Sequence, residues 1–134
     1  MALLGAAVLD MLSFTASPAG QWERPSTVPR DKPTDFAYLY SYSPLHNVTP
    51  GACYPATLTT TADHDDGVVP SHSFKFAATL QGAQRCDNPV LIRTARHASH
   101  AYRPTDKRIA ELADGWAFAL AQMKVLPLTA GVPQ

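Results

Sequence analysis

The chain has 134 residues, with 11 Lys and Arg against 11 Asp and Glu and a sequence pI near 7.0. This neutral balance argues against the basic face that binds nucleic acid and against a polybasic membrane-binding patch. A hydrophobic content of 46% indicates a globular chain rather than a disordered one, and the length suggests one domain. Charged residues reach only 16%, below the roughly 25% that is usual. We therefore expect part of its surface to be covered, as in a fragment of a larger protein.

The two cysteines, Cys53 and Cys86, have neither a C-x-x-C spacing nor enough partners for a disulfide scaffold. The sequence therefore predicts free thiols in a reducing compartment. The apolar opening at residues 1–9 lacks a positively charged start and is interrupted by Asp10, so it does not match a signal peptide. No apolar stretch approaches the roughly 20 residues that span a bilayer. Together these features predict a soluble, cytoplasmic protein.

The first half of the chain contains two predicted regular elements and a long loop. Residues 2–9 form a short apolar run, which is typical of a strand buried on both faces. Six prolines lie between residues 17 and 50 and exclude long regular elements there. Apolar side chains at helical spacing nevertheless predict a short helix over residues 34–42. The rest is either a plain loop or the wall of a pocket, with Trp22 as its largest apolar surface.

The second half alternates between strand and helix patterns. Its composition predicts a strand over residues 54–61, a helix over 71–81, a strand over 90–94 and a helix over 105–123. Such alternation is typical of parallel strands joined by right-handed crossovers, and it predicts an α/β fold. The last helix is amphipathic because its apolar residues recur three and four positions apart. These residues are Ile109, Leu112, Trp116, Leu120 and Met123.

Two polar loops follow the strands of this second half. Residues 62–67 read ADHDDG and residues 96–100 read RHASH. Parallel strands end at the same edge of a sheet, so a carboxylate and an imidazole can meet there as an acid–base pair. The order of Asp before His matches the order in α/β hydrolases. The alternatives are solvated loop charges and a metal site of Asp and His, which lacks an H-E-x-x-H frame.

Three longer segments carry a resemblance to a known family. YSPLHNV at residues 42–48, ADHDDGVVPSHSFKFAATLQ at 62–81 and NPVLIRT at 88–94 resemble the prolyl oligopeptidase family. Members of that family are serine peptidases whose α/β-hydrolase domain is capped by a β-propeller. The resemblance implies that residues 1–134 form the C-terminal portion of the catalytic domain. It implies a partial α/β-hydrolase fold that lacks the nucleophile elbow and the propeller.

The resemblance also implies roles for individual residues. Asp65, the first residue of the DD pair, matches the triad aspartate, and His100 matches the triad histidine. His97 matches no family position and is expected to be a loop residue. Trp22 matches the tryptophan that stacks on the substrate proline, and Val68 matches a valine that lines the apolar pocket.

The chain departs from the family pattern at several positions. Ser99 and Ala101 replace glycines beside His100. Because glycine permits positive φ, the loss of these glycines predicts a shifted imidazole. Gly67 replaces an arginine that hydrogen-bonds the substrate backbone. A hydrogen bond to a charged group is worth about 1.5–3 kcal/mol, so we expect weaker substrate binding. No G-x-S-x-G motif occurs in the sequence, so the serine nucleophile has no counterpart.

The resemblance thus implies a serine-type endopeptidase that cleaves proline-containing peptides after proline, without cofactor or metal. Because the serine segment is absent, we expect the chain alone to be inactive. The alternative is a non-catalytic, peptidase-like module that binds a partner through an exposed apolar face. A truncation introduced by a gene-model error is a third interpretation.

Overall fold

The computed structural model describes residues 1–14, 20, 32–100 and 103–125. All four elements predicted for the second half of the chain are observed, and their ends lie within a few residues of the predicted ones. The helix predicted at 34–42 is observed as well. In chain order the elements are β1 (Ala2–Gly5), α1 (Met11–Phe14), α2 (Pro33–Tyr42), a 3₁₀ turn (Pro44–Asn47), β2 (Thr57–Ala62), α3 (Ser71–Ala83), β3 (Val90–Ala95) and α4 (Thr105–Gln122).

The strands of the described residues form one parallel sheet in the order β1-β2-β3. Thr57, which opens β2, pairs with Ala2 on one side and with Val90 on the other. Helix α3 is the crossover between β2 and β3, as a parallel connection requires. The α/β fold that the sequence predicts is confirmed. Because all strands run the same way, the loops that follow β2 and β3 emerge at one edge.

Helices α3 and α4 lie on opposite faces of the sheet. Phe118 of α4 packs in a cluster with Ala56 and Leu58, next to and within β2. On the other face, Leu80 of α3 lines a cavity together with Thr57. Thr57 and Leu58 are consecutive residues of one strand, so their side chains point to opposite faces. The central strand β2 is therefore covered on both sides.

Strand β1 differs from its prediction. It is four residues long rather than eight, and its side chains alternate between half-buried and exposed, with Leu3 50% exposed. The strand ends at Gly5, and Ala6 turns the chain with a positive φ of 42°. Within the described residues β1 is an edge strand, and Leu3 lines an open groove beside α4, so this face of the strand is not covered. The fully buried strand of this sheet is β2 instead.

The apolar stripe of α4 is exposed. Ile109, Leu112 and Trp116 are 62%, 56% and 63% exposed, while Phe118 and Ala119 are buried. The spacing correctly predicts a helix, but the residues that contact the sheet lie on a different side of it. Leu112 and Trp116 line an open groove with the exposed face of β1. No described part of the chain covers this stripe.

The prediction of free cysteines is wrong. Cys53 and Cys86 form a disulfide, with their Cα atoms 5.1 Å apart. Their spacing of 33 residues hides the contact, because the βα crossover returns the chain to the sheet edge from which β2 starts. A disulfide is typical of oxidising compartments, so the cysteine argument for a cytoplasmic location fails. In the ranges that the structure describes, no helix is both long and apolar enough to cross a bilayer.

Candidate active site

Asp65 and His100 meet at the edge where β2 and β3 end. Nδ1 of His100 lies 2.8 Å from Oδ1 of Asp65 and 3.0 Å from Oδ2. The side chain of Asp65 is fully buried, whereas that of His100 is 43% exposed. A buried carboxylate on Nδ1 fixes the imidazole tautomer and leaves Nε2 for a group that arrives from outside. The replacement of glycine by Ser99 does not separate the two residues.

The carboxylate of Asp65 is held by the turn that follows it. The backbone N–H groups of Gly67 and Val68 donate to Oδ1 at 3.1 and 2.8 Å. Hydrogen bonds from backbone N–H groups stabilise a buried negative charge. Oδ1 of Asp65 therefore accepts hydrogen bonds from two backbone amides and also contacts the imidazole. These contacts orient the carboxylate toward His100.

Asp63 clamps the two loops together, and sequence reasoning did not distinguish it from its acidic neighbours. Its Oδ2 accepts the N–H of His97 at 2.9 Å, and its Oδ1 accepts the N–H of Ala98 at 3.2 Å. The hydrogen bond to His64, followed by those from the two amides, holds the pKa of Asp63 well below its usual range. Nothing in the spacing of the ADHDDG segment identifies this role, because the partners are backbone groups 34 and 35 residues away.

His97 lies apart from the Asp65–His100 pair. It is exposed, has a positive φ of 52°, and stacks on the ring of His64 with the centroids 6.3 Å apart. Across the part of the chain that the structure describes, no group of three or more His, Cys, Asp or Glu could hold a metal ion.

The other residues predicted for the site have different outcomes. Val68 is half-buried, and its backbone N–H contacts Asp65. Its predicted role in lining a substrate pocket stays a prediction. Trp22 lies outside the described residues, and so does Ala101.

A second polar cluster joins the segment after β1 to α3. Asp10 is buried, forms an ion pair with Lys75 and accepts the N–H of Ser13 at 3.0 Å. Burial alone would raise the pKa of Asp10, but the hydrogen bonds from Lys75 and Ser13 outweigh it and lower the pKa well below its usual range. This cluster anchors the carboxyl side of β1.

His72 completes this cluster as a buried neutral ring. Its Nδ1 accepts the backbone N–H of Asp10 at 3.1 Å, so its proton resides on Nε2. Burial lowers the pKa of His72, against the opposing charge of Asp10. Within the described residues Nε2 has no hydrogen-bond partner.

A cavity of about 640 Å³ adjoins the exposed side of His100. It lies between the sheet and α4, and the ionisable residues that line it are His100, Arg103, Arg108 and Glu111. The arrangement can therefore move a proton to and from a group brought to the imidazole. Proton transfer by a positioned histidine is general acid–base catalysis.

Comparison with known proteins identifies chains that are similar to this one. The model of the prolyl oligopeptidase family matches residues 1–125. A prolyl endopeptidase of Elizabethkingia meningoseptica is 48% identical over 130 residues, which cover 96% of this chain and 18% of that protein. The chain thus spans less than a fifth of the length of the curated relatives it matches.

Solved structures give the same result. One, from a study of two prolyl endopeptidases, is 42% identical, superposes with a TM-score of 0.81 and covers 94% of this chain and 18% of its own. Another is prolyl oligopeptidase B of Galerina marginata, a histidine-to-alanine mutant bound to a 35-residue hydrolysis and macrocyclization substrate. It is 37% identical with a TM-score of 0.83, over 92% of this chain and 18% of that one.

Proposed function

Because this chain belongs to the prolyl oligopeptidase family, we propose that it supplies the aspartate and histidine of a Ser-His-Asp peptidase that cleaves peptides after proline. Residues 1–134 are then the C-terminal portion of the catalytic domain. The observation that carries the proposal is the contact between Asp65 and His100 at 2.8 Å, at the carboxyl edge of a parallel sheet. The relative from Galerina marginata, which binds a peptide substrate, supports the substrate class.

The proposed reaction follows from the orientation of the imidazole. Nε2 of His100 takes the proton of a serine hydroxyl as the serine oxygen attacks the carbonyl carbon of the substrate proline. The imidazolium then gives that proton to the leaving amine, and the C–N bond breaks to leave an acyl-enzyme. Water, deprotonated in the same way, hydrolyses the ester and restores the serine. Asp65 stabilises the imidazolium in both half-reactions without being protonated itself.

The nucleophile in this proposal lies outside these 134 residues. The sequence holds no G-x-S-x-G turn on which an α/β-hydrolase serine is presented. We assign Val68, and Trp22 by resemblance alone, to the pocket for the substrate proline. No cofactor is part of the proposed reaction.

A chimera tests the proposal. The chain replaces the matching segment of the Elizabethkingia meningoseptica prolyl endopeptidase, and hydrolysis of a fluorogenic Gly-Pro peptide is measured. We expect activity, and a loss of about 10⁴-fold in kcat for Asp65→Ala and for His100→Ala. The matched controls are Asp66→Ala and His97→Ala, which remove an exposed carboxylate and an exposed imidazole from the same two loops. A chimera that is active but insensitive to His100→Ala would contradict the proposal.

The chain by itself is the complementary experiment. Without a serine nucleophile, the 134-residue chain should show no turnover of the same peptide. Turnover that is abolished by Asp65→Ala and His100→Ala would show that a residue of this chain acts as the nucleophile. That result would overturn the assignment of the serine to another segment.

The exposed stripe of α4 favours a second candidate, a non-catalytic module that binds a partner. Trp116 and Ile109 are each more than 60% exposed, and large exposed apolar patches mark interaction surfaces. Sedimentation of the purified chain and the activity of the chimera together discriminate the two functions. A monodisperse, folded chain without activity in the chimera favours the module, whereas an active chimera favours the peptidase.

A further inference from the structure

A short turn, residues 96–98, leads from the end of β3 toward His100. Two backbone N–H groups of this turn donate to the carboxylate of Asp63, from His97 at 2.9 Å and from Ala98 at 3.2 Å. Successive N–H groups that converge on one anion form a concavity that favours negative charge. The turn is therefore held through its N–H groups by a carboxylate.

The carbonyl groups of the same turn contact a lysine. Nζ of Lys107 donates to the carbonyl of Arg96 at 2.5 Å and makes a longer contact of 3.4 Å with the carbonyl of His97. The two flanking carbonyls, of Ala95 and Ala98, accept backbone N–H groups from the loop that follows β2. Lys107 therefore supplies the donor for the two carbonyls that this backbone pairing leaves open.

The helix that carries Lys107 does not explain why a lysine lies there. Lys107 is the third residue of α4, and a positive charge in the first turn of a helix opposes the helix dipole. None of the ion pairs between described residues includes it. Its side chain is nevertheless half-buried and bonded to the turn before His100. The polar contacts that the described structure gives Lys107 are those with the turn.

The backbone of the turn is strained at His97. Its φ of 52° lies in the left-handed region, which is costly for a residue with a Cβ atom. Such a conformation persists where the surrounding structure fixes it. Asp63 accepts the N–H of His97, and Lys107 contacts its carbonyl. Loss of either charged group should let His97 relax, and His100, three residues further along, would move with it.

We propose that Lys107 is a positioning residue for His100, because its ammonium group holds the carbonyl groups of the turn whose N–H groups Asp63 holds. The catalytic meaning of this inference rests on the proposed function, whereas the hold on the turn rests on geometry alone. In the part of the chain that the structure describes, Lys107 forms no hydrogen bond with Asp65 or with the imidazole of His100. It therefore acts through the backbone.

Amide hydrogen exchange of the 134-residue chain tests the contact. Lys107→Met keeps most of the apolar stem but removes the donors, so the N–H groups of His97 and Ala98 should exchange roughly tenfold faster. The amides of β2 should keep their exchange rates. Lys107→Arg retains N–H donors and should restore slow exchange in the turn. Lys124→Met is the matched control, because it removes an exposed lysine that lies beyond the end of α4.

Three results of this experiment would overturn the proposal. One is an unchanged exchange rate of both turn amides in Lys107→Met. Another is faster exchange throughout β2 as well as in the turn. The third is a loss of folding in Lys107→Met that Lys124→Met does not share. The last two results would make Lys107 a residue of general stability.

A second readout follows the imidazole itself. Nitrogen-15 NMR should show an Nδ1 proton of His100 hydrogen-bonded to a carboxylate in the wild-type chain, in Lys107→Arg and in Lys124→Met. This signal should weaken in Lys107→Met, because the ring moves relative to Asp65. An unchanged imidazole signal in Lys107→Met contradicts the proposal.

The active chimera measures the consequence for the reaction. Lys107→Met should lower kcat roughly tenfold and change KM by less than about threefold, and Lys107→Arg should recover most of the loss. The double variant with Asp63→Ala should lose no more than Asp63→Ala alone, because both residues hold one turn. Losses that multiply would contradict the shared role. An inactive chimera would count against the proposed function but leave the exchange and NMR measurements decisive for Lys107.

Discussion

The two edges of the parallel sheet are held together by different chemistry. At the carboxyl edge, the buried Asp65 and the partly exposed Asp63 accept hydrogen bonds from backbone N–H groups and contact imidazole nitrogens. At the amino edge, a disulfide joins Cys53 to Cys86. Next to it, the side-chain amide of Gln84 accepts the N–H of Tyr54 at 2.9 Å and donates to its carbonyl at 3.0 Å.

This difference separates proton chemistry from mechanical support. Carboxylates at the carboxyl edge accept hydrogen bonds from backbone N–H groups and contact the imidazole, so they can orient a ring that must take up and release a proton. A disulfide and neutral amides do not titrate in the same range. Changes at the carboxyl edge should therefore alter activity and pH dependence, whereas changes at the amino edge should alter stability alone.

The largest effect should come from Asp65→Asn. The substituted amide keeps the shape of the carboxylate but donates where the carboxylate accepts, so the imidazole adopts the other tautomer. We expect kcat of the chimera to fall about 10⁴-fold. Asp66→Asn is the control, and a fall of similar size there would show that the loop charge matters rather than the pair.

The next effect concerns the disulfide. Replacement of both Cys53 and Cys86 by alanine should lower the free energy of unfolding by about 3–4 kcal/mol, as expected from chain entropy for a crosslink of this loop length. Urea unfolding of the chain measures this change, and the wild-type chain with a reductant should match the variant. The nitrogen-15 NMR signal of the His100 imidazole should be the same in the variant and in the wild-type chain, because the amino edge does not contact this ring. Equal stability of the oxidised and reduced chains would contradict this prediction.

A smaller effect is expected from Asp63→Ala. Loss of this carboxylate frees the backbone at His97 and Ala98, which lie just before His100. A misplacement of about 1 Å in a catalytic group reduces the rate roughly 100-fold, and we expect a loss of that order in kcat of the chimera. His64→Ala, which leaves both amide contacts of Asp63 in place, should have a much smaller effect. Comparable losses for the two variants would refute the clamp.

The smallest effect is a dependence of stability on pH. Burial lowers the pKa of His72 below its ordinary 6.5, so the unfolded chain binds this proton more tightly and stability declines as pH falls below about 6.5. Lys75 and Ser13 hold the pKa of Asp10 below 3.8, so stability declines again below that pH. In His72→Asn, whose amide oxygen can still accept the N–H of Asp10, the first decline should disappear. Urea unfolding between pH 8 and about pH 3 measures both steps, and an unchanged profile in His72→Asn would contradict this assignment.

Elements with strong local patterns were predictable, and their burial was not. The periodicity of residues 105–123 correctly predicts α4, but the same apolar stripe, including Trp116, is exposed. The apolar run at the start predicts a strand, yet β1 has one neighbour within the described residues and is only half-buried. Side-chain periodicity determines local conformation, whereas burial depends on what lies beside the element.

In the candidate site, the meeting of a carboxylate and an imidazole followed from strand order alone. Both loops follow parallel strands, and the resemblance to the family identified Asp65 and His100 within these loops. The role of Asp63 could not be predicted, because its partners are backbone amides of a loop distant in sequence. The close approach of His100 to Gly67 was equally hidden, since the two residues belong to different loops.

By itself, the sequence determined the α/β alternation, the parallel direction of the strands, the family and the two residues offered for acid–base chemistry. These follow from periodicity, turn residues and long motifs, which are local properties of the chain. Only the tertiary structure decided that Cys53 is bonded to Cys86, that Asp63 clamps the histidine loop and that His100 lies over Gly67. Each of these contacts joins residues that are 33 to 35 positions apart in the sequence. The residues meet because the crossover folds the chain back onto the sheet.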